Sequence, residues 1–186
     1  MRLLAAILML GAAVSGAAGE SMKDQIALFA AAKSEGRTGV ARKARPVDAR
    51  PARPGETIVT VIRGEGVETT SKPAEAGDWV VRNRCPETGN EEILVKAAKF
   101  AERYGEPRSG PDAEGWREFA PKGVEMAYFI VPAELGTFTF KAPWGEEMVA
   151  KPGDAILQAP ADPDDTYRVA AAAFACTYEI VKPAKP

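Results

Sequence analysis

The residue types that most often carry catalysis are scarce in this sequence. It contains no histidine, which excludes Ser–His and Cys–His catalytic pairs and all histidine metal sites. Two cysteines cannot build a four-cysteine zinc site. Carboxylates remain, and Asp78, Asp154, Glu91 and Glu92 can supply paired groups for acid–base work. Because nothing in the sequence brings two of them together from different segments, we predict no catalytic residue, no metal site and no cofactor.

An acidic turn near the end of the chain is a candidate for binding a cation. Asp162, Asp164 and Asp165 offer the oxygen ligands that calcium prefers. The turn lacks the alternating ligand spacing, the central glycine and the distal glutamate of an EF-hand loop. We therefore interpret it as a solvated connection.

One short segment carries side chains suited to binding. Trp79, Arg82, Asn83 and Tyr104 form an aromatic and polar set. The alternation of side chains along a strand places Trp79 and Arg82 on opposite faces, so they need not share a pocket. A core position is the simpler interpretation for Trp79.

Two further tryptophans lie in loop-like stretches. Trp116 and Trp144 stand beside Gly115 and Gly145. Exposed tryptophans there would suit recognition of a sugar or a peptide, whereas buried ones would cover a small core. Both interpretations stay open.

The two cysteines are far apart in the chain. Cys85 and Cys176 can form a disulfide in an oxidising compartment, where closing so long a loop would stabilise the fold by about 2–4 kcal/mol. In the cytosol they would be buried as small apolar side chains. Their spacing is not that of a CxxC redox motif.

The N-terminus has the three parts of a secretory signal in order. Residues 1–19 begin with the single charge of Arg2, continue as an apolar run over residues 3–14, and end in small residues. We predict a removable signal peptide and a periplasmic or secreted protein. The run is too short to remain as a membrane helix, so no transmembrane segment is expected after processing. The alternative is a cytoplasmic protein that starts at Met22.

A basic segment follows a predicted short helix at residues 23–33, which Ser21 or Asp24 can cap. Residues 33–54 hold seven basic and two acidic side chains, a net charge of +5, and three prolines. We predict an extended or disordered linker within a leading region of residues 20–54. The alternative is an arm that binds a protein or an anionic surface, through Arg37, Arg42, Lys43, Arg45, Arg50 and Arg53.

Residues 55–186 have a net negative charge, with 15 basic and 22 acidic side chains. Several short stretches of this region are β-branched or alternate between apolar and polar residues, as strands do. Strands are predicted at residues 57–63, 78–83, 91–95, 124–131 and 137–142. A short helix is predicted at residues 96–104, and a Gly- and Pro-rich linker follows at residues 105–115.

An internal duplication is the most specific feature. Residues 77–104 and 153–178 both open with Gly-Asp, continue as an apolar strand and a turn, and end in Val, four residues, Phe, three residues, Tyr. Gly77 and Gly153 suit a turn that needs positive φ, and the aspartates can accept backbone N–H bonds there. The prediction is a β-rich α+β domain in which two related small β-β-α units, near residues 66–104 and 146–178, pack as one compact domain.

The second copy reads Pro152-Gly153-Asp154-Ala155-Ile156 and the first Ala76-Gly77-Asp78-Trp79-Val80. With the Phe–Tyr spacing downstream, this pattern resembles a bacterial family named for its signature, the PGDYL domain. The resemblance covers about 40 residues, or about 70 with the second copy. It implies no activity, because none is established for the family.

Three functional hypotheses follow. The first is an exported or envelope-associated binding or structural protein without enzymatic activity. The second is a cytoplasmic or phage-type accessory module that binds a protein or nucleic acid through the basic arm. The third is an enzyme that uses Asp, Glu, Arg or Tyr side chains between the repeats, which a deep pocket holding several of these groups would favour.

Overall fold

A computed structural model describes residues 21–185, so the predicted signal at residues 1–19 lies outside the described residues. The described part is rich in strands, which confirms the predicted β-rich α+β class. Its α-helices are α1 (Gln25–Ser34), α2 (Ala97–Arg103) and α3 (Ala171–Thr177).

The strands of residues 21–185 are β1 (Ser21–Met22), β2 (Gly39–Lys43), β3 (Val47–Pro51), β4 (Val59–Ile62), β5 (Gly66–Thr70), β6 (Trp79–Asn83), β7 (Glu92–Val95), β8 (Tyr104–Pro107), β9 (Arg117–Pro121), β10 (Glu125–Ile130), β11 (Phe138–Lys141), β12 (Glu147–Ala150), β13 (Ala155–Ala159), β14 (Asp162–Val169) and β15 (Tyr178–Lys182). A 3₁₀ turn at Ala133–Leu135 separates β10 from β11. Each strand predicted beyond residue 55 is present, shortened by one to three residues.

Two five-stranded antiparallel sheets dominate the fold. The first has the order β7-β6-β3-β9-β8 and the second the order β14-β13-β10-β2-β15. Strands β4 and β5 form a hairpin, and β11 and β12 form another that β1 extends in parallel. The first sheet therefore uses one continuous stretch, residues 47–121, whereas the second sheet joins β2 to strands that begin at residue 125.

The predicted linker at residues 33–54 is wrong, because β2 and β3 occupy inner positions of the two sheets. Ala41, Val47 and Ala49 are at most 1% exposed. These small apolar residues alternate with charged ones, as in the Val47-Asp48-Ala49-Arg50 stretch of β3. A count of charge over the whole segment hides this period of two, which is the signal of a half-buried strand.

The predicted first helix is confirmed as α1. The Asp24 carboxylate accepts hydrogen bonds from the backbone N–H groups of Ile26 and Ala27 and so caps the helix. Phe29 of α1 packs edge-on against Phe129 of β10, with 5.7 Å between the ring centroids. The helix thereby covers the apolar face of the second sheet.

The Val-Phe-Tyr spacing forms an aromatic core in each part of the chain. In the first, Phe100 stacks on Tyr104 at 4.9 Å and on Trp79 at 4.2 Å. In the second, Phe174 stacks on Tyr178 at 5.2 Å. Both tyrosines begin a strand directly after a helix, so the predicted helix at residues 96–104 ends one residue earlier, at Arg103.

The two Gly-Asp pairs form turns as predicted. Gly77 and Gly153 have φ values of 89° and 92°, a conformation that residues with a Cβ rarely adopt. Asp78 accepts the N–H of Glu75, and Asp154 accepts the N–H of Lys151. These aspartates therefore hold the backbone of the two turns in place.

Candidate functional site

A cavity of about 400 Å³ lies between the two large sheets. Lys43 of β2, Tyr167 of β14 and Tyr178 of β15 line it from the second sheet. Asn83 of β6 and Tyr104 of β8 line it from the first. This volume is in the range of small-molecule sites.

Lys43 is one of the polar residues that line the cavity. Its ammonium donates a hydrogen bond of 2.6 Å to the amide oxygen of Asn83. Burial lowers the pKa of Lys43 to about 8, because the charged form loses solvation there, while Tyr167 and Glu91 partly oppose the shift. Lys43 is therefore still mostly protonated at neutral pH.

A buried network fixes the orientation of Asn83. Its amide nitrogen donates a hydrogen bond of 2.7 Å to Glu91, and the Thr88 hydroxyl donates to the other oxygen of that carboxylate. Asn83 and Glu91 are both at most 6% exposed. Because the Asn83 nitrogen is engaged by Glu91, its oxygen is the atom presented to Lys43.

Two more cations lie on the cavity wall and share one carboxylate. Lys99 and Arg103 of α2 donate hydrogen bonds of 2.8 and 2.7 Å to Asp165. The Arg103 guanidinium also lies 5.1 Å from the centroid of the Tyr167 ring. The predicted acidic turn forms the start of β14, and the buried carboxylate of Asp165 there pairs with both cations of α2, so the prediction of a solvated connection is wrong for Asp165.

Tyrosine hydroxyls complete the polar wall. Burial raises the pKa of Tyr104 to about 12. Burial and a hydrogen bond with Tyr167 raise the pKa of Tyr178 well above its ordinary value. Both are therefore neutral O–H groups at physiological pH, able to donate to a bound oxygen.

Another part of the cavity lining belongs to an ion network around Arg168. Arg168 is buried and donates to Asp154 at 2.8 Å, to Glu65 at 2.8 Å and to Glu68. The desolvation of Glu68 raises its pKa, although Arg168 opposes the shift. Three carboxylates surround this one guanidinium, so its charge is compensated within the fold.

Much of the remaining wall is apolar. Ile62, Ile93, Val124 and Met148 line it, and Trp144 is a wall residue that is 39% exposed. Trp144 lies 6.0 Å from the ring of Tyr167 and donates its indole N–H to Glu146. An occupant would therefore meet both apolar and charged side chains.

Only part of the predicted binding set reaches the cavity. Asn83, Tyr104 and Trp144 line it, whereas Trp79 is packed in the aromatic core of the first sheet. Trp79 therefore takes the core role that was its simpler interpretation.

Arg82 and Trp116 meet on the other face of the first sheet. The Arg82 guanidinium lies 3.9 Å from the Trp116 ring centroid, and Arg50 lies 5.1 Å from it. Arg82 also forms an ion pair with Glu92 at 2.9 Å. Because Trp116 is only 6% exposed, it covers a core and is not an exposed recognition residue.

Most of the predicted basic arm is engaged within the fold. Arg37 pairs with Glu35, Arg42 with Glu179 and Arg50 with Glu56. Arg45 donates to the Arg84 carbonyl, and Lys43 faces the cavity. Arg53 is exposed. The prediction of a free basic tether is therefore wrong, because the basic residues alternate with buried apolar ones along strands β2 and β3.

Cys85 and Cys176 form a disulfide, with 6.0 Å between their Cα atoms. Cys85 follows β6, and Cys176 lies in α3. The bond therefore joins the connection after the first sheet's β6 to the helix that precedes β15 of the second sheet.

Sequence analysis missed Lys99, Arg103, Tyr167 and Tyr178 and treated Lys43 as a linker charge. A signal for the α2 pair was present, because Lys99 and Arg103 are four residues apart and lie on one helix face. No local pattern connects Lys43 to β6 and β14, because the sheets assemble from distant segments.

Comparison with protein-family models, with curated proteins and with solved structures finds no match. Within residues 21–185, no helix is long and apolar enough to cross a membrane.

Proposed function

We propose that this protein binds a small, partly apolar organic anion in the cavity between its two large sheets. The observation that carries the proposal is the position of Lys43. Its ammonium faces the cavity, and among residues 21–185 its hydrogen-bonding partner is the neutral amide oxygen of Asn83. An ammonium has three donors, so Lys43 keeps donors for a carboxylate, sulfonate or phosphate.

The surroundings of Lys43 define the rest of the occupant. Arg103 and two tyrosine hydroxyls can add hydrogen bonds to the anionic group. The aliphatic wall and Trp144 suit a hydrocarbon or aromatic portion. A molecule with an acidic head and an apolar body of ring size matches both parts.

We also infer that the two parts of the chain derive from one duplicated unit. The order strand, strand, helix, strand occurs as β6-β7-α2-β8 and as β13-β14-α3-β15. Tyr104 pairs with Pro121 in one sheet, and Tyr178 pairs with Lys43 in the other. On this alignment, Lys43 corresponds to Pro121, because each pairs with the tyrosine of its own sheet. The cation at this position would then be present in only one of the two sheets. Membership of the PGDYL family stays a proposal on the same Gly-Asp turns.

A pair of fluorescent probes tests the binding proposal. Anilinonaphthalene sulfonate carries an anion on an aromatic body, and phenylnaphthylamine has a similar body without charge. We expect one-to-one binding of the sulfonate, weakened about tenfold or more by Lys43→Met, because a hydrogen bond to a charged group contributes about 1.5–3 kcal/mol. The affinity for the neutral probe should change less than twofold.

Lys33→Met is the matched control, because Lys33 is an exposed lysine of α1 far from the cavity lining. It should leave both affinities unchanged. Equal losses for both probes in Lys43→Met, or no loss for either, would contradict the proposal.

We propose that the protein acts in the periplasm or outside the cell. The signal-like residues 1–19 and the Cys85–Cys176 disulfide support this location, since disulfides persist in oxidising compartments. The intact mass of protein from its native host should lack about 17–19 N-terminal residues. A mass that begins at Met1 or Met22, with two free thiols, would contradict export.

A second candidate function is covalent capture of a carbonyl compound by Lys43. Its lowered pKa of about 8 leaves far more free amine than an ordinary lysine has. The amine would add to the carbonyl carbon, and loss of water would give an imine. Benzaldehyde with cyanoborohydride, which delivers hydride to the imine, should then label Lys43 selectively. Labelling spread evenly over Lys43 and exposed Lys33 would exclude this candidate.

A further inference from the structure

The carboxylate of Glu87 lies against both sulfurs of the Cys85–Cys176 disulfide. One Glu87 oxygen is 3.4 Å from the Cys85 Sγ and 3.2 Å from the Cys176 Sγ. Ligand atoms of Cys85, Glu87 and Cys176 all lie within 4.8 Å of one another. Glu87 is exposed, and a disulfide has no hydrogen to donate to its carboxylate, so in the oxidised form the contact with the sulfurs is not a hydrogen bond.

The same three groups form a reasonable ligand set when the disulfide is reduced. Zinc binds thiolate sulfur at about 2.3 Å and carboxylate oxygen at about 2.0–2.2 Å in tetrahedral sites. Ligand atoms around such an ion lie about 3.3–3.8 Å apart. The Glu87 oxygen is 3.2–3.4 Å from the two sulfurs, close to this separation, so the main change needed is that the two sulfurs move apart.

The charge around the site also suits a divalent cation. Two thiolates and one carboxylate carry three negative charges, of which zinc neutralises two. The Arg45 guanidinium lies 3.1 Å from the Cys176 Sγ and can offset the third. Soft thiolates favour zinc over calcium or magnesium.

We propose that the reduced protein binds one Zn²⁺ through Cys85, Cys176 and Glu87, with water in the fourth position. The proposal does not depend on the cavity or its occupant. A dithiol first reduces the disulfide: two electrons and two protons pass to the sulfurs, and the dithiol becomes a cyclic disulfide. Zinc then displaces both thiol protons and forms two Zn–S bonds.

The consequence is a cross-link that survives a change of compartment. In an oxidising environment, the disulfide joins the connection after β6 to α3. In a reducing one, the zinc would join the same two segments. The fold would then keep its tie between the two parts of the chain in either location.

Metal binding to the reduced full-length protein tests the proposal. Protein reduced with a dithiol and freed of it under argon is titrated with Co²⁺ as a spectroscopic probe and then with Zn²⁺. We expect one Co²⁺ per chain, a thiolate-to-cobalt charge-transfer band, and displacement of the cobalt by zinc. Oxidised protein should show none of these signals.

Glu87→Gln is the decisive variant, because it keeps both cysteines and can fold with its disulfide before it is reduced. Changes next to metal ligands cost about 10–100-fold in affinity, so loss of a direct ligand should cost at least tenfold. Cys85→Ser and Cys176→Ser should abolish the charge-transfer band of a two-thiolate site. Glu134→Gln, at an exposed glutamate of the 3₁₀ turn, is the matched control.

Absence of cobalt binding by reduced wild-type protein with an unchanged circular dichroism spectrum would overturn the proposal. Undiminished affinity in Glu87→Gln would also overturn it, because two thiolates alone would then explain the binding. Reduced protein that unfolds and still binds metal would overturn it as well, since the site would not belong to the fold.

Discussion

The carboxylates of Asp78 and Asp154 accept hydrogen bonds in the same pattern, atom for atom. In each, Oδ2 accepts a backbone N–H from three residues earlier, and Oδ1 accepts the first N–H of a helix, from Ala97 in one case and Ala171 in the other. In each, Oδ2 also accepts from a cation. One aspartate therefore ties a turn, a helix start and a basic side chain together.

The two aspartates differ in the burial of that cation, which predicts unequal effects of the same substitution. Arg168, beside Asp154, has a side chain that is 2% exposed, whereas that of Lys96, beside Asp78, is 45% exposed. Asp154→Asn should lower the free energy of unfolding by about 2–3 kcal/mol, because an amide N–H would face a buried guanidinium. Asp78→Asn should cost about 1 kcal/mol. Urea unfolding of both variants measures the difference, and equal costs would contradict the role given to Arg168.

Lys43 predicts a pH-dependent contribution to stability. Its pKa falls to about 8 in the folded state from 10.5. Between these values the unfolded chain binds more protons, so stability rises with pH there, and below about pH 8 the full cost of the buried charge is present. Lys43→Met should therefore stabilise the protein most below pH 8, with a gain that shrinks towards pH 10.

The difference between wild type and Lys43→Met isolates this effect. Tyr104 has a raised pKa of about 12, so its contribution falls above pH 10, but it is common to both proteins. Thermal or urea unfolding at pH 7, 8, 9 and 10 gives the profile. A difference that does not vary with pH would show that Lys43 keeps an ordinary pKa.

The same titration predicts how anion binding depends on pH. As Lys43 loses its proton near pH 8, the affinity for anilinonaphthalene sulfonate should fall, while that for phenylnaphthylamine stays constant. In Lys43→Met the sulfonate affinity should be low and flat over the same range. A decline of equal size in the variant would assign the titration to another group.

The contact between Arg82 and Trp116 should make a measurable cation–π contribution to the free energy of unfolding. Its guanidinium lies 3.9 Å from the Trp116 ring centroid. Arg82→Met keeps much of the packing but removes the charge, and should lower stability by about 1 kcal/mol. Arg82→Met combined with Trp116→Leu gives a double-mutant cycle in which each change removes the cation–π interaction, and a coupling energy near zero would show that the pair merely pack.

Removal of the Cys85–Cys176 disulfide should cause a large loss of stability. Cys85 and Cys176 are separated by 91 residues, and closing a loop of about this length is expected to contribute about 4 kcal/mol. Cys85→Ala with Cys176→Ala should lower the free energy of unfolding by that amount in metal-free buffer. A cost below about 1 kcal/mol would mean that the denatured chain is barely constrained by the bond.

Local signals in the sequence predicted the two Gly-Asp turns, helices α1 and α2, and strands β4, β6, β7, β10 and β11. Gly77 and Asp78 act through neighbouring residues, and the spacing of Phe100 and Tyr104 needs only one helical turn. Strands β2 and β3 were not predicted, because the net charge of +5 over residues 33–54 indicated a solvated segment. In the structure, successive side chains of these strands alternate between buried positions and exposed or ion-paired ones. The relevant signal was the alternation of apolar and charged residues, and not the net charge of the segment.

The candidate site was only partly predictable for a different reason. Asn83, Tyr104 and Trp144 were singled out from local composition, and all three line the cavity. Lys43 gains its place from the pairing of β2 with β15, more than a hundred residues further along the chain, and Tyr167 gains its place from its contact with Arg103 of α2. Contacts of such sequence separation follow from the topology and leave no trace in a short window.

The position of β2 in the second sheet constrains the order in which the molecule can form during synthesis. The first sheet has all its strands once residues 117–121, which form β9, have left the ribosome. Strand β2 is made before every strand of the first sheet, whereas its neighbours β10 and β15 are made after them. Strand β2 therefore has no partner until the C-terminal part of the chain is translated, so the second sheet is completed only near the end of synthesis.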